Sequence, residues 1–197
     1  MLKETIAGGA ILLAISFGAL LAQDKGKGGG GRGAPKGPGL TLTSPDLEDG
    51  GVIPDKFTQK AGASAASPKL EWTNVPMGVV TFALLFHDPD AAPGKKIEDV
   101  THWMVFNIPG DAKGLPAGVS ADAKLPDGTI QIKNTRGAVG FMGPGAPAPG
   151  PYHHYTFELF ALDTKLDLGP DATRADVMKA MDGHVIAKGV LEGRFHQ

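Results

Sequence analysis

Phe82-Ala-Leu-Leu-Phe-His-Asp-Pro-Asp-Ala91 is an apolar run that ends in two carboxylates held around a proline. Residues 79–88 have the continuous apolarity of a central strand covered on both faces. Side chains alternate faces along a strand. Asp88 therefore shares a face with Val80, Phe82, Leu84 and Phe86. Working outward, Thr101-His-Trp-Met-Val-Phe-Asn-Ile-Pro109 reads as the next strand, and the same alternation sets His102 in phase with Met104, Phe106 and Ile108. Further on, Gly140-Phe-Met-Gly-Pro144 precedes His153-His-Tyr-Thr-Phe-Glu-Leu-Phe-Ala-Leu-Asp163, in which His153 and Tyr155 are in phase with Phe157 and Leu159. Each polar group thus stands where an apolar face ends. A small polar pocket over a hydrophobic core would be built there.

The rest of the chain reads as short strands with turn punctuation. Candidates are residues 40–43, 70–72, 130–133 and 185–195, with turns at Asp49-Gly-Gly51, Pro109-Gly-Asp111 and Pro126-Asp-Gly128. One helix stands out: Thr173 and Asp176 form a capping-box pattern, Val177, Ala180 and Met181 make one stripe, and Gly183 stops it. Many strands and few helices predict a mainly β fold, an antiparallel β-sandwich with a few short peripheral helices.

The chain has 197 residues, 29 Gly, 16 Pro, no Cys and a net charge of −2. The absence of cysteine excludes disulfides, thiolate metal sites and a cysteine nucleophile. The near-neutral charge gives no reason to expect nucleic acid as a partner. Residues 1–22 are expected to be a signal peptide: Ile6 to Ala22 is a 17-residue run without charge, closed by Gln23-Asp24. An uncleaved anchor is the other reading, for a run near the roughly 20 residues a span needs. Residues 23–39 read as a flexible linker: from Lys25 to Gly39 the chain is Gly, Lys, Arg and Pro with no apolar side chain larger than Ala34. Residues 1–39 hold five basic and two acidic side chains, so residues 40–197, the expected folded domain, carry −2 − 3 = −5. Membrane contact is expected only through the signal segment or basic linker.

Taken alone, Asp88-Pro-Asp90 reads as an Asx-type turn, and a lone His102 or His153 as a satisfied core histidine. Together the inward imidazoles and carboxylate need partners, and find them most easily in one another. Donors on His102, His153 and the Tyr155 hydroxyl could hold an anion's oxygens, with Asp88 fixing a histidine tautomer. Two histidines and a carboxylate could also bind a metal, although no H-x-H or H-x-x-x-H spacing preorganises them. Gly140, Gly143 and Gly145 in the Gly/Pro-rich loop 136–151 could turn backbone amides toward a ligand. No G-x-S-x-G elbow surrounds Ser67 or Ser120.

The two long segments resemble the signatures of the phosphatidylethanolamine-binding protein family, in its bacterial Raf-kinase-inhibitor-like branch. The resemblance is carried by Asp88-Pro-Asp-Ala91, His102-Trp103 and Asn107-Ile-Pro109, then by Gly140-Phe-Met-Gly-Pro144, His153-His-Tyr155 and Ala161-Leu-Asp163. It implies a β-sandwich whose pocket binds a small phosphate-type anion or phospholipid head group, formed here by Asp88, Asp90, His102, Gly143, Pro144, His153 and Tyr155. It implies no cofactor and no metal. The chain departs from the pattern at an added Ala before Pro93, at Gly145-Ala-Pro-Ala-Pro149 in place of Pro-Pro, at His154 in place of Arg, and at 60–66 in place of Cys-Asp-Gly. The leading expectation is an exported, periplasmic or secreted binding module that leaves its ligand unchanged. A protein-interaction or inhibitor module with a protein partner comes second, and a His/Asp-dependent phosphoester hydrolase third.

Overall fold

The computed structural model describes residues 38–197; the signal-peptide reading, and all but the end of the linker, lie outside them. Nine strands form two sheets: β1 (Thr41–Thr43), β2 (Gly51–Val52), β3 (Leu70–Thr73), β4 (Thr81–Asp88), β5 (Val100–Pro109), β6 (Gly114–Leu115), β7 (Ile130–Gln131), β8 (His153–Leu162) and β9 (Val185–Phe195). The larger sheet runs β2-β9-β8-β4-β5-β7 and the smaller β1-β3-β6. Pairing is antiparallel, as the sequence predicts, apart from the two-residue strand β2, which lies parallel to β9. The resulting architecture is mainly β. Sandwich describes it only approximately, because a three-stranded sheet faces one of six.

Strand β4 sits at the centre of the larger sheet and is buried almost throughout, as its unbroken apolar run predicts. Its even-numbered side chains Phe82, Leu84 and Phe86 join Leu42, Leu70, Trp72, Phe157, Leu159 and Leu191 in the core between the sheets. Ala83 and Leu85 point the other way, with Met104, Phe106, Phe160 and Leu162, under helix α1 (Arg174–Met181). The capping box at Thr173 forms as read, and Val177 and Met181 are the helix residues that reach the core. This second face is thus closed by one short helix and the loop before it.

Strand β5 departs from simple alternation in two places, and the departures build the site. Phe86 pairs with Trp103 and His87 with Thr101, so His102 is an extra residue opposite no partner. A β-bulge of this kind turns the following residues to the opposite face. Met104 and Phe106 consequently lie under the helix, while Trp103 and Val105 lie between the sheets. The expected phase of His102 with Met104, Phe106 and Ile108 is therefore corrected. In strict register His102 would face the helix; the bulge returns it to the face of Asp88. A second bulge at Phe106-Asn107, where Asn107 takes φ 57°, returns Ile108 to the core between the sheets. Asn107 uses the bend to clasp Leu166, donating to its carbonyl at 2.9 Å and accepting from its amide at 2.8 Å.

Candidate functional site

Three neighbouring strands bring the polar side chains together at one end of the inter-sheet core. Asp88 closes β4, His102 occupies the bulge in β5, and His153 and Tyr155 open β8. All four border a pocket of about 210 Å³, together with Gln59, Ala91, Val100, Thr135, Arg136, Met142, Gly145, Ala146 and Pro147. That volume is below the roughly 300–1,000 Å³ of pockets for drug-sized ligands, a size that suits a small group. The floor is aromatic. Phe86 stacks on Phe157 at 3.9 Å between centroids, and the rings of His102 and Tyr155 lean on it at 5.3 and 6.1 Å.

Asp88 is buried, and both of its carboxylate oxygens are engaged. One carboxylate oxygen accepts from the amides of Asp90 and Ala91 at 3.0 and 3.1 Å, which is the Asx turn that Asp-Pro-Asp favours. The other lies 2.8 Å from His153 Nδ1. A carboxylate can only accept, so Nδ1 carries the proton and Nε2 is left for the pocket. The turn and the histidine partner therefore coexist, each using a different oxygen.

His102 is set the opposite way from the sequence expectation. Its Nδ1 donates to the Met142 carbonyl at 2.8 Å, and its own carbonyl accepts the Met142 amide at 3.0 Å. Burial pushes its pKa down, the Met142 bond and the Asp88 charge only partly opposing, and Arg136 pushes it further down. In the neutral ring the only donor is spent on Met142. The pocket thus receives an acceptor where a donor was expected.

The Tyr155 hydroxyl accepts the amides of Gly145 and Ala146 at 3.3 and 3.0 Å, which leaves its own proton for Asp88 or for a group in the pocket. Burial, then the nearby Asp88 charge, pushes its pKa well above the usual phenol value. The Gly145 amide is one of those the sequence offers to a ligand, but here it joins the Ala146 amide in holding the loop to the phenol. The same loop is tied from the other side, where Gln59 donates its amide to the Pro144 carbonyl and its Nε2 to the Gly143 carbonyl, at 2.8 and 3.1 Å. Gly143 and Pro144 therefore shape the wall without bordering the pocket. A Cβ on Gly143 would stand 2.7 Å from the Phe57 carbonyl oxygen, so that approach requires glycine.

Asp90 also lies outside the pocket. It accepts the His154 amide at 2.7 Å and sits 2.8 Å from His154 Nδ1, and chiefly that amide bond holds its carboxyl below the usual range. On the opposite face of β4, His87 Nδ1 lies 2.6 Å from Asp99, which also receives Arg174, so the loop from Asp90 to Asp99 is fastened to helix α1. Among the described residues no three His, Asp or Glu side chains are arranged to hold a metal ion.

Gln59, Thr135 and Arg136 are lining residues that sequence reasoning missed. Gln59 comes from a 3-10 segment (Gln59–Ser64) whose first residue is 22 positions before the start of β4 at Thr81. No alternation or motif points to it. Arg136 carried a signal, as the cation that opens the Gly/Pro-rich loop, but it was read only as the loop's first residue.

Comparison with known proteins places this geometry in context. The family model described as phosphatidylethanolamine-binding protein matches residues 43–196. A UPF0098 protein of Methanothermobacter thermautotrophicus is 40% identical over 158 residues, covering 80% of this chain and 99% of its own. The UPF0098 protein YbhB of Escherichia coli is 32% identical over 161 residues, covering 79% and 99%. The crystal structure of E. coli YbcL, described as a new member of the mammalian PEBP family, superposes with a TM-score of 0.72 at 30% identity, covering 81% and 99%.

Proposed function

The chain belongs to the phosphatidylethanolamine-binding protein family, and from that premise we propose that it is a binding protein whose pocket holds the phosphate of a small ligand or lipid head group. The observation that carries this reading is the convergence of His153, paired to Asp88 at 2.8 Å, with His102, Tyr155 and Arg136 around about 210 Å³. Such a site can contact an anion from several sides. The Tyr155 hydroxyl can donate and Arg136 supplies positive charge. His153, whose Nδ1 proton is given to Asp88, presents Nε2 as an acceptor for P–OH in the neutral ring and as a donor to a phosphate oxygen once the ring takes a second proton. Neutral His102 offers an acceptor, which suits a ligand oxygen or nitrogen that itself bears hydrogen, such as P–OH or an ammonium. The wall is prebuilt, since Tyr155, Gln59 and His102 hold the loop at residues 142–146 through their own hydrogen bonds. Preorganisation of this kind lowers the entropic cost of binding.

Export is part of the proposal, supported by the uncharged run from Ile6 to Ala22 followed by a Gly-rich basic stretch. The test is an NMR titration of the full chain with inorganic phosphate and O-phosphoethanolamine, following the ring resonances of His102 and His153. Both sets should shift together and saturate. Silence at both rings, in a protein that remains folded, rejects the reading.

A further inference from the structure

Arg136 is the one side chain around the pocket with a permanent positive charge, and among the described residues it makes no ion pair. Its fork is nevertheless aimed. Nη2 donates to Gln59 Oε1 at 2.8 Å, and Gln59 Nε2 donates to the Gly143 carbonyl at 3.1 Å. The guanidinium is thus tied through one amide group to the loop that forms the pocket wall. Its charge reaches the interior, where it helps depress the pKa of His102. The brace has a space requirement, too. A Cβ on Gly145 would stand 2.2 Å from Gln59 Cδ and Nε2, so the Gln59 side chain lies directly over that residue.

We infer that Arg136 is a phosphate-anchoring residue of this pocket and that Gln59, seated over Gly145, is the positioning residue that directs it there. The inference rests on the reading of the pocket as a phosphate site and adds the cation that selects the ligand's charge. The surrounding domain carries −5 over residues 40–197, so its net charge opposes an approaching anion. An unpaired guanidinium at the rim reverses that field locally. With one N–H held by Gln59, the remaining donors of the fork can take two oxygens of a phosphate, which a point-charge ammonium cannot do in a fixed geometry. The chemistry favoured is a terminal phosphate with two or more unesterified oxygens. The ammonium of an attached ethanolamine would be indifferent to Arg136.

Calorimetric titration of the full chain with inorganic phosphate and with O-phosphoethanolamine tests this. Arg136→Gln should weaken both ligands by about 10- to 100-fold, the usual worth of a charge-assisted hydrogen bond. Arg136→Lys should keep part of that affinity. Gln59→Ala should weaken binding in the parent background and add almost nothing to Arg136→Gln, because it acts through the arginine. Arg136 is exposed, so its variants should melt with the parent. Parent-like affinity in Arg136→Gln overturns the inference while leaving the pocket reading intact. So does a Gln59→Ala effect that is undiminished beside Arg136→Gln. If the parent itself binds neither ligand, both readings fall together.

Discussion

Asp88→Asn is the sharpest probe of how the site is held. The substitution keeps the size of the side chain and removes one charge. The asparagine carbonyl can still accept the amides of Asp90 and Ala91, now at 3.0 and 3.1 Å, so the turn should survive. The amide nitrogen then replaces the oxygen that lies 2.8 Å from His153 Nδ1, and two donors face each other. His153 relieves the clash by moving its proton from Nδ1 to Nε2 and accepting from the asparagine. A charge-assisted bond worth about 1.5–3 kcal/mol is exchanged for a neutral one of about 0.5–1.5 kcal/mol. The net loss is about 1–2 kcal/mol, or roughly 2–8 °C in melting temperature for a domain of this size. Two measurements check it: a thermal melt, and ring ¹⁵N shifts that identify the His153 tautomer. An unchanged melting temperature, with His153 still protonated at Nδ1, would refute the placement of the carboxylate against that ring.

Tyr155→Phe removes the acceptor of the Gly145 and Ala146 amides, and leaving a buried donor unpaired costs about 1–3 kcal/mol, so urea unfolding should shift and both amides should exchange faster. Normal protection at both positions would count against the phenol as the loop's anchor. Gly143→Ala drives a methyl group against the backbone of Phe57 and Thr58, which cannot turn aside as a side chain could, and should destabilise the fold by about 1–3 kcal/mol. A neutral result would mean that the loop moves freely there. Acid should act in two stages. The His102 pKa is held below its ordinary 6.5, so as pH falls the unfolded chain gains this proton first; its contribution is complete above about 6.5 and lost as pH falls through the folded value. Asp99 is held below its ordinary 3.8: burial works against this, but the Arg174 and His87 bonds prevail. Its contribution is complete above 3.8 and lost as pH falls through the depressed value. Urea midpoints measured against pH should show both steps, and His102→Gln should erase the upper one; a His102 ring that titrates above 6.5 contradicts the burial argument.

Why the fold could be read from residues, and the site only in part, follows from where period-two alternation holds. Strand β8 keeps strict alternation from His153 to Ala161, and His153, Tyr155, Phe157 and Leu159 fall on one face as their spacing requires. Asp88 obeys the same rule on β4. Alternation fails on β5, where nothing in Thr-His-Trp-Met marks one residue as surplus, and the bulge is fixed only by pairing with β4. His102 reaches the pocket for a reason that its own strand does not encode. The roles of Gly143, Pro144 and Asp90 escape for a different cause: their sites are defined by backbone contacts with segments some 64 to 85 positions away, which no local pattern specifies.

The same distinction explains how the site is divided between fixed and variable parts. Groups at the bottom of the pocket are delivered by the sheet. Asp88, His153 and Tyr155 can therefore shift only if β4 or β8 shifts, and both are buried along most of their length. Groups at the rim come from loops whose register the sheet does not control. There the chain departs from its family's pattern: Gly145-Ala-Pro-Ala-Pro149 in place of Pro-Pro, and the residues from Lys60 to Ala66 that follow Gln59. Gln59, which leads into the second departure, meets the first in space, since its side chain occupies the volume that any Cβ at position 145 would claim. A change at one therefore constrains the other, and both bear on where Arg136 points. Ligand discrimination in this fold is thus most easily altered at the rim, where a swap of one loop residue redirects a charge without disturbing the hydrogen bonds that hold Asp88, His153 and Tyr155 in place.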